Sequence, residues 1–288
     1  MAKMKFLIFD NTKDRKNFLE NPSFKKKENV EYGILNNFNK NRILFTAEHN
    51  VTTDIKTPKY GKKSFIRMGD KNTDKLAKIM AHRIKSGFLI PKFSRIDVDA
   101  CRPIENIGKN EKILVKVYNS NIGMIRYRIH RNKNYVPFLM NYHSIIEKLN
   151  PSALISVHGM REKGHPPDIL MGFGKNYRII GGVKKALEFK KYYIKKLNDV
   201  FRKFKTKNML KINISKWLFT GEKNYVLNKH VIQYNKNNKK KRFGMHVEFN
   251  MRGRIINKEF IRKDYQIASQ VLADTILEWM GKNKDSYN

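Results

Sequence analysis

Two histidines in this sequence follow short apolar segments and have the context of metal ligands. His49 lies near the end of the segment ILFTAEHN and His158 near the end of ALISVHGM, each before a loop, whereas His82 lies in a helical pattern and His130 in a basic stretch. A satisfied core histidine is the alternative role for each of the first two. Two neutral imidazoles and a carboxylate give zinc three protein ligands and leave a fourth position for water. We therefore predict a zinc site that contains His49 and His158.

A carboxylate in a third apolar segment could perform the proton transfer that such a site requires. Glu248 lies near the end of MHVEFN. Zinc lowers the pKa of a bound water to about 7, and a carboxylate that does not bind the metal must accept the proton and pass it to the leaving amine. We predict that Glu248 is this general acid/base; a buried strand carboxylate paired with an arginine is the alternative.

These residues need strands and helices that bring them together. Apolar segments bounded by polar or turn residues predict five buried strands, at Lys5–Phe9, Arg42–Ala47, Ala153–Val157, Ile169–Gly172 and Met245–Phe249. Apolar residues at three- and four-residue spacing predict four helices, at Asn72–Lys85, Pro137–Leu149, Val183–Phe204 and Glu259–Met280. The alternation predicts an α/β fold with a mostly parallel or mixed sheet flanked by helices. In such folds, functional side chains converge at the carboxyl ends of the strands.

The composition favours a single domain over residues 1–288. Hydrophobic residues make up 40% of the sequence, with 18 Phe and 13 Tyr, which is enough for one sizeable core and unlike a disordered chain. The segment 235–242 (NKNNKKKR) contains no apolar residue. It predicts an exposed basic loop, either a solvated hairpin turn or an anion-binding loop.

The sequence is strongly basic, because 61 Lys and Arg against 25 Asp and Glu give a formal net charge of +36. Such a field attracts polyanions non-specifically, and it fits either a nucleic-acid binder or a lysine-rich solvated surface.

The N-terminal segment lacks the apolar stretch of a signal peptide, and Cys101 is the single cysteine, which excludes an intramolecular disulfide. No segment approaches the roughly 20 apolar residues of a spanning helix. We expect a cytoplasmic protein without a membrane partner.

Five sequence blocks, spread over most of the chain, resemble those of the N-formylglutamate amidohydrolases and their relatives, the zinc carboxypeptidases and aspartoacylase. ILFTAEHN resembles a first block that ends in Pro-His or Cys-Glu-His, and MGDKNTDKLAKIMA resembles an Asp-x-Gly-Thr block, with Asp70 and Thr73 matching. FSRIDVDACRP resembles a Ser-Arg…Asp-x-Asn-Arg-Pro block, with Cys101 at the asparagine position. SVHGMREKGHPPDILMGFG resembles an Asp-x-His-Ser block with Ser156 at the aspartate position, and GMHVEFNMRGR resembles Gln-x-Glu-x-Asn-Arg, with Met251 before the arginine.

This resemblance implies a phosphorylase/hydrolase-like fold of the zinc carboxypeptidase type, and it implies roles for further residues. Arg102 would grip a substrate carboxylate, and Arg95 would polarise the scissile carbonyl. Asn250 and Arg252, from the last block, would also contact the substrate. Arginine suits a carboxylate better than lysine because its planar fork can donate two parallel hydrogen bonds.

The third metal ligand has several candidates. Zinc carboxypeptidases place a glutamate three residues after the first histidine, but Thr52 occupies that position here. Glu48 precedes His49 and recurs in one branch of the family, although successive strand residues point to opposite faces unless the chain turns. We predict Glu48 as the third ligand, with Asp97 and Asp99 as alternatives.

These predictions together describe a zinc-dependent amidohydrolase. It would cleave an N-acyl amino acid resembling N-formylglutamate, or a small carboxylate-bearing peptide, by attack of a zinc-bound water. Cys101, Ser156 and Met251 depart from the family blocks, so the sequence also fits an inactive relative. The strong positive charge also fits a nucleic-acid-associated protein or an RNA-ester deacylase on the same fold. The salt dependence of binding and activity separates the nucleic-acid binder from the amidohydrolase, because phosphate binding weakens steeply with salt whereas a buried zinc site changes little.

Overall fold

The computed structural model describes residues 25–27, 29–51, 53–56, 65–95, 97–106, 114–119, 123–128, 133–160, 166–216, 219–255 and 261–287. The predicted strand Lys5–Phe9 lies outside the described residues. Within them, none of the helices combines the length and apolar character needed to cross a lipid bilayer.

An eight-stranded mixed sheet organises the described chain. The strands in chain order are β1 (Lys25–Lys27), β2 (Val30–Ile34), β3 (Ile43–Thr46), β4 (Thr53–Lys56), β5 (Phe65–Met68), β6 (Gly87–Pro91), β7 (Leu114–Asn119), β8 (Gly123–Arg128), β9 (Ala153–Met160), β10 (Ile169–Gly172), β11 (Ile212–Ile214) and β12 (Phe243–Asn250). The order across the sheet is β1-β2-β6-β3-β9-β12-β10-β11, while β4–β5 and β7–β8 form separate antiparallel pairs. The strands β6, β3, β9 and β12 are parallel neighbours, and β10 runs antiparallel to β12.

Four long helices flank the sheet and match the four predicted helical segments to within a few residues. The helices are α1 (Phe38–Asn41), α2 (Thr73–Arg83), α3 (Val136–Leu149), α4 (Val183–Lys203), α5 (Tyr225–Leu227), α6 (Tyr234–Asn237), α7 (Met251–Arg254), α8 (Lys263–Lys282) and α9 (Lys284–Tyr287). A π-helical turn, Asn228–Gln233, joins α5 to α6. The mixed sheet between helices confirms the predicted α/β fold class.

Helices cover both faces of the sheet, and each face has its own apolar cluster. Helices α2, α4 and α8 pack against one face, which contains Phe45 and Ile155. Helix α3 and the segment 225–232 pack against the other face, which contains Leu44 and Leu154. Neighbouring residues of a strand therefore enter different layers, as the period of two requires.

Some elements were not predicted from the sequence. Strand β6, a fully buried GFLIP segment, lies between β2 and β3 and belongs to the parallel group. In the segment 235–242, residues 235–237 are helical and residues 238–241 are exposed. Arg242 is buried, because its guanidinium stacks 3.4 Å from the ring centroid of Tyr234 and donates to the carbonyl of His230 at 2.8 Å.

Candidate metal centre

Polar side chains from three neighbouring strands share one face of the sheet. They are Thr46 of β3, Ser156 and His158 of β9, and His246 and Glu248 of β12. In the parallel register, His246 is the partner of Ser156 and Glu248 is the partner of His158. Because every second residue of a strand faces the same side, these side chains form one polar surface at the carboxyl half of the parallel strands.

The turn after β3 adds two residues to this surface. Strand β3 ends at Thr46, so Glu48 and His49 lie in the following turn and are free of the strict alternation of a strand. Both side chains are buried. Thr46 Oγ1 donates a hydrogen bond to Glu48 Oε1 at 2.6 Å, which turns the Glu48 carboxylate towards β9.

The two histidines predicted as ligands meet at one carboxylate. Asp70 Oδ2 lies 3.6 Å from His49 Nδ1 and 3.1 Å from His158 Nδ1. The two rings pack edge to face, with their centroids 4.7 Å apart. Asp70 precedes helix α2, whose first residue Thr73 donates its hydroxyl to the Asp70 carbonyl at 2.7 Å. Asp70, to which the family resemblance assigned no role, thus lies at the centre of the cluster.

The opposite edge of each imidazole contacts another carboxylate. Asp99 Oδ1 lies 2.8 Å from His49 Nε2, and Glu48 Oε2 lies 3.1 Å from His158 Nε2. Ser156 Oγ donates to the same Glu48 oxygen at 2.8 Å. Metal-binding histidines usually present their second ring nitrogen to a carboxylate, which fixes the ring and its tautomer. Glu48 and Asp99 therefore face the Nε2 edges of the rings, while Asp70 faces both Nδ1 atoms.

Charges around His49 favour its cationic form. Burial and the positive charge of Arg95 disfavour protonation, but the carboxylates of Asp99 and Asp70 outweigh them and raise the pKa of His49 to about 9. Burial likewise disfavours ionisation of Asp99, yet His49 and Arg95 hold the pKa of Asp99 well below its usual value. This half of the cluster is an imidazolium between two ionised carboxylates.

His158 has the same kind of surroundings. Burial lowers its pKa, but Cys101, Asp70 and Glu48 outweigh burial and raise the pKa well above the usual value. Burial alone would raise the pKa of Glu48, yet the hydrogen bond and charge of His158, with smaller effects of Thr46 and Ser156, lower it to about 2. The second half of the cluster is also an imidazolium between two ionised carboxylates.

This donor set fits a divalent cation. One such ion could replace the two imidazolium protons at the Nδ1 atoms without changing the net charge of the cluster, since metal ligation requires neutral imidazole. Zinc with ligand bonds of about 2.0–2.1 Å in a tetrahedron requires ligand atoms roughly 3.3 Å apart. The two distances from Asp70 Oδ2, 3.1 and 3.6 Å, bracket that value.

Cys101 belongs to a second possible donor set. One ligand atom each from His49, Cys101 and His158 lie within 4.8 Å of one another. The Cys101 sulfur is 3.8 Å from His158 Nε2, the ring nitrogen that also faces Glu48. Burial raises the pKa of Cys101 to about 12, and a bound metal ion would deprotonate the sulfur. Asp70 contacts both imidazoles, whereas the Cys101 sulfur contacts His158 alone among the two.

Glu248 has one free carboxylate oxygen beside this cluster. Its Oε1 atom lies 2.8 Å from His246 Nε2, while its Oε2 atom is buried without a hydrogen-bond partner among the described residues. The His246 ring stacks on His158, with centroids 4.5 Å apart and an interplanar angle of 20°. Asn224 Nδ2 donates to Ser156 Oγ at 2.7 Å and lies 3.5 Å from His246 Nδ1. An unpartnered buried carboxylate oxygen next to two imidazoles suits a group that exchanges a proton with a bound molecule.

The cluster forms the floor of a cavity of about 530 Å³. Its charged lining residues, apart from the histidines, are Asp70, Arg95, Asp99, Arg102, Lys175, Lys216, Glu222, Lys223 and Glu248. The predicted carbonyl-polarising residue Arg95 lies 3.4 Å from Asp99 Oδ2 through Nη2, and the predicted carboxylate-binding residue Arg102 lies 4.0 Å from the same oxygen through Nε. Both arginines are thus brought to the histidine cluster.

Two predicted substrate-binding residues lie elsewhere. Asn250 is fully buried, accepts a hydrogen bond from the backbone of Arg252 at 3.0 Å, and does not line the cavity. Arg252 Nε donates to Asp168 Oδ1 at 2.8 Å, and Tyr265 donates its hydroxyl to the same oxygen at 2.7 Å. Within the described residues, no contact joins Asp97, the other candidate third ligand, to either imidazole of the cluster.

Sequence reasoning missed three residues of the site. His246 was detectable, because it lies two residues before Glu248 on a strand and must share its face. Asp70 was recognised as part of a block, but its distance from both histidines is a tertiary property. Asn224 caps α5, where its Oδ1 accepts from the amides of Val226 and Leu227. Nothing in the sequence around Asn224 distinguishes it from an ordinary helix cap.

Comparison with known proteins shows the fold of the chain. No family model matches the sequence, and no curated protein matches it. Among solved structures, the N-formylglutamate amidohydrolase of Ralstonia eutropha is similar with a TM-score of 0.53 at 11% identity, over 89% of this chain and 100% of that one. A gene product of Agrobacterium tumefaciens is similar with a TM-score of 0.51 at 12% identity, over 90% of this chain and 94% of that one. The resemblance of fold stated from the sequence is confirmed.

Proposed function

We propose that this protein is a zinc-dependent amidohydrolase that acts on an N-acyl amino acid or a small carboxylate-bearing peptide. The observation that carries the proposal is the convergence of two buried imidazoles on the Asp70 carboxylate beside the free oxygen of Glu248. The similarity in fold to an N-formylglutamate amidohydrolase supports the choice of substrate.

His49, His158 and Asp70 would hold the metal in this proposal. Glu48 and Asp99 would orient the two imidazoles from behind and keep them basic. In this proposal Glu48, predicted above as the third ligand, would support His158 instead, because its carboxylate faces the Nε2 edge of that ring. When bound, zinc supplies a Lewis acid that polarises a carbonyl and lowers the pKa of water to about 7.

The chain's own residues supply the remaining steps. Glu248 Oε2 accepts a proton from the attacking water and later delivers it to the leaving nitrogen as the C–N bond breaks. His246 holds the other Glu248 oxygen at 2.8 Å, so the free oxygen stays in place. Arg95 orients the scissile carbonyl, and Arg102 binds the substrate carboxylate with its planar fork.

The test is the hydrolysis of N-formylglutamate and other N-acyl amino acids by the purified protein, together with its metal content. We expect about one zinc per chain and amine release that stops when the metal is removed by a chelator and returns with added zinc. A zinc-loaded protein that cleaves no N-acyl amino acid or acidic peptide would reject the proposed activity. Hydrolysis of RNA-borne esters instead would support the deacylase alternative.

A further inference from the structure

Three lysines line the cavity in addition to the two arginines. Lys175 follows strand β10, Lys216 follows β11, and Lys223 lies in the segment before α5. Arg95 and Arg102 follow β6, which lies beyond β3 and β9 in the order of the sheet. We name Lys175, Lys216 and Lys223 the lysine rim. By the order of the strands, Lys175 and Lys216 therefore lie on the opposite side of the histidine cluster from the arginines. Lys223 lies two residues before Tyr225, whose amide donates to the Cys101 carbonyl at 3.0 Å.

The three side chains of the lysine rim are exposed, and none forms an ion pair with another residue that the structure describes. The acidic residue beside them, Glu222, is already engaged, because it pairs with the Arg178 guanidinium and accepts from the backbone amide of Lys175 at 3.1 Å. The rim therefore presents positive charge towards a ligand in the cavity.

The wall that carries the rim is held firmly by its backbone. A Cβ atom at Gly172 would lie 2.1 Å from the carbonyl oxygen of Phe219, so only glycine permits this approach. The amide of Gly174 donates to the Thr220 carbonyl at 2.6 Å, and Gly221 has a φ of +83°. Phe219 is 46% exposed on this wall. Close backbone contacts thus fix the segments that carry Lys175 and Lys223.

We propose that the lysine rim is a second anion subsite and that the substrate is an acidic peptide with negative groups on both sides of the cleaved amide. This inference rests on the proposed function. Arg102 binds the carboxylate on one side, and Lys175 and Lys216 of the rim bind acidic side chains on the other, with Lys223 at the edge between them. A cavity of about 530 Å³ lies in the range that holds ligands larger than a single amino acid. Lysine suits this role because its flexible ammonium binds anions as a point charge without a fixed fork.

The experiment measures binding, so it does not depend on turnover. A fluorescein-labelled tetraglutamate peptide and its tetraglutamine counterpart are titrated into zinc-loaded Glu248→Gln protein and followed by anisotropy. The rim variant adds Lys175→Ala, Lys216→Ala and Lys223→Ala. The control variant adds Lys184→Ala, Lys191→Ala and Lys195→Ala on the exposed side of α4, which removes the same charge.

We expect tetraglutamate to bind more tightly than tetraglutamine and the rim variant to lose roughly tenfold in affinity, since three exposed ion pairs contribute modestly each. The control variant should change by less than about twofold. Equal loss of affinity in the rim and control variants would show that net charge alone causes the effect and would overturn the subsite. Equal binding of tetraglutamate and tetraglutamine would also overturn it. An RNA oligonucleotide that displaces the peptide and loses the same affinity in the rim variant would replace the peptide assignment.

Activity separates this inference from the proposed function. If the wild-type protein hydrolyses no amide but binds tetraglutamate through the rim, the proposed function fails and the subsite stands. If the wild-type protein hydrolyses acidic peptides with a kcat/KM that the three rim substitutions do not change, the proposed function stands and the subsite is rejected.

Discussion

Two buried polar clusters in this protein contain aspartates in different electrostatic settings. Around Asp70, two imidazoles share one carboxylate and each contacts a further carboxylate behind it. Around Asp168, an arginine, a tyrosine hydroxyl and the Lys211 amide already satisfy the carboxylate. The first cluster is balanced mainly by imidazolium protons, which a metal ion could replace, whereas the second contains the permanent cation Arg252. A buried carboxylate thus indicates a binding site only where groups that can be exchanged, such as protons or a metal ion, balance its negative charge.

The largest effect is expected for the residues around Asp70. His49→Ala, His158→Ala and Asp70→Asn should each lower zinc affinity by more than about 100-fold, since loss of an outer-shell partner alone already costs roughly 10- to 100-fold. Zinc content after dialysis, measured by atomic emission, checks this. Full zinc retention in all three variants would reject the metal centre.

Cys101→Ser provides the matched control for this donor set. If Asp70 is the third ligand, the serine variant keeps its zinc, because the sulfur faces the other edge of His158. The reverse result, with zinc lost in Cys101→Ser and kept in Asp70→Asn, would assign the ion to the sulfur-containing set.

The next effect in size concerns Glu248. Glu248→Gln removes a proton acceptor that contacts His246 and is not a proposed ligand, so kcat should fall by at least about 100-fold while zinc content stays the same. Both quantities are measured on one preparation. Joint loss of metal and activity would make Glu248 a ligand, and full activity would remove it from the mechanism.

A smaller effect is expected at Arg102. Arg102→Lys keeps the charge but loses the planar fork, and one charge-assisted hydrogen bond contributes roughly 1.5–3 kcal/mol, so KM should rise about tenfold or more. Arg202→Lys, at an exposed pair with Asp199, is the matched control and should leave KM unchanged. An unchanged KM in Arg102→Lys would place the substrate carboxylate elsewhere.

The Asp168 cluster should affect stability and leave turnover alone. Burial favours the neutral carboxyl, but hydrogen bonds from Arg252, the Lys211 amide and Tyr265 lower the pKa of Asp168 below its usual value. Its ionised form therefore stabilises the fold above the unfolded pKa of about 4, and this contribution is lost as the pH falls towards the folded pKa.

Asp168→Asn tests that expectation by urea unfolding. At neutral pH it should lower the free energy of unfolding by about 1–3 kcal/mol, with kcat unchanged in the folded protein. The difference from wild type should shrink as the pH falls below about 4. A large loss of kcat with native stability would instead place this cluster in the active site.

Local sequence patterns predicted much of the fold. The four long helices were predictable from apolar periodicity, and the strands β3, β9, β10 and β12 from short apolar runs, because these patterns reflect which side chains each element buries. Strand β6 was missed although its GFLIP segment is fully buried; its run ends in Pro91, a residue that disfavours a central strand. The edge strands β1 and β11 have only three residues each, and β2 and β11 pair with strands distant in the chain.

The sequence by itself determined that His49, His158 and Glu248 follow or end apolar strands, and parallel neighbouring strands then brought them to one face. Only the tertiary structure decided the rest of the site. Asp70 reaches both imidazoles because α2 begins beside the turn that carries His49, and Glu48 lies behind His158 because β3 and β9 are neighbours. Spacing along a strand fixes which face a side chain occupies, but the distance between residues from different elements depends on how those elements pack.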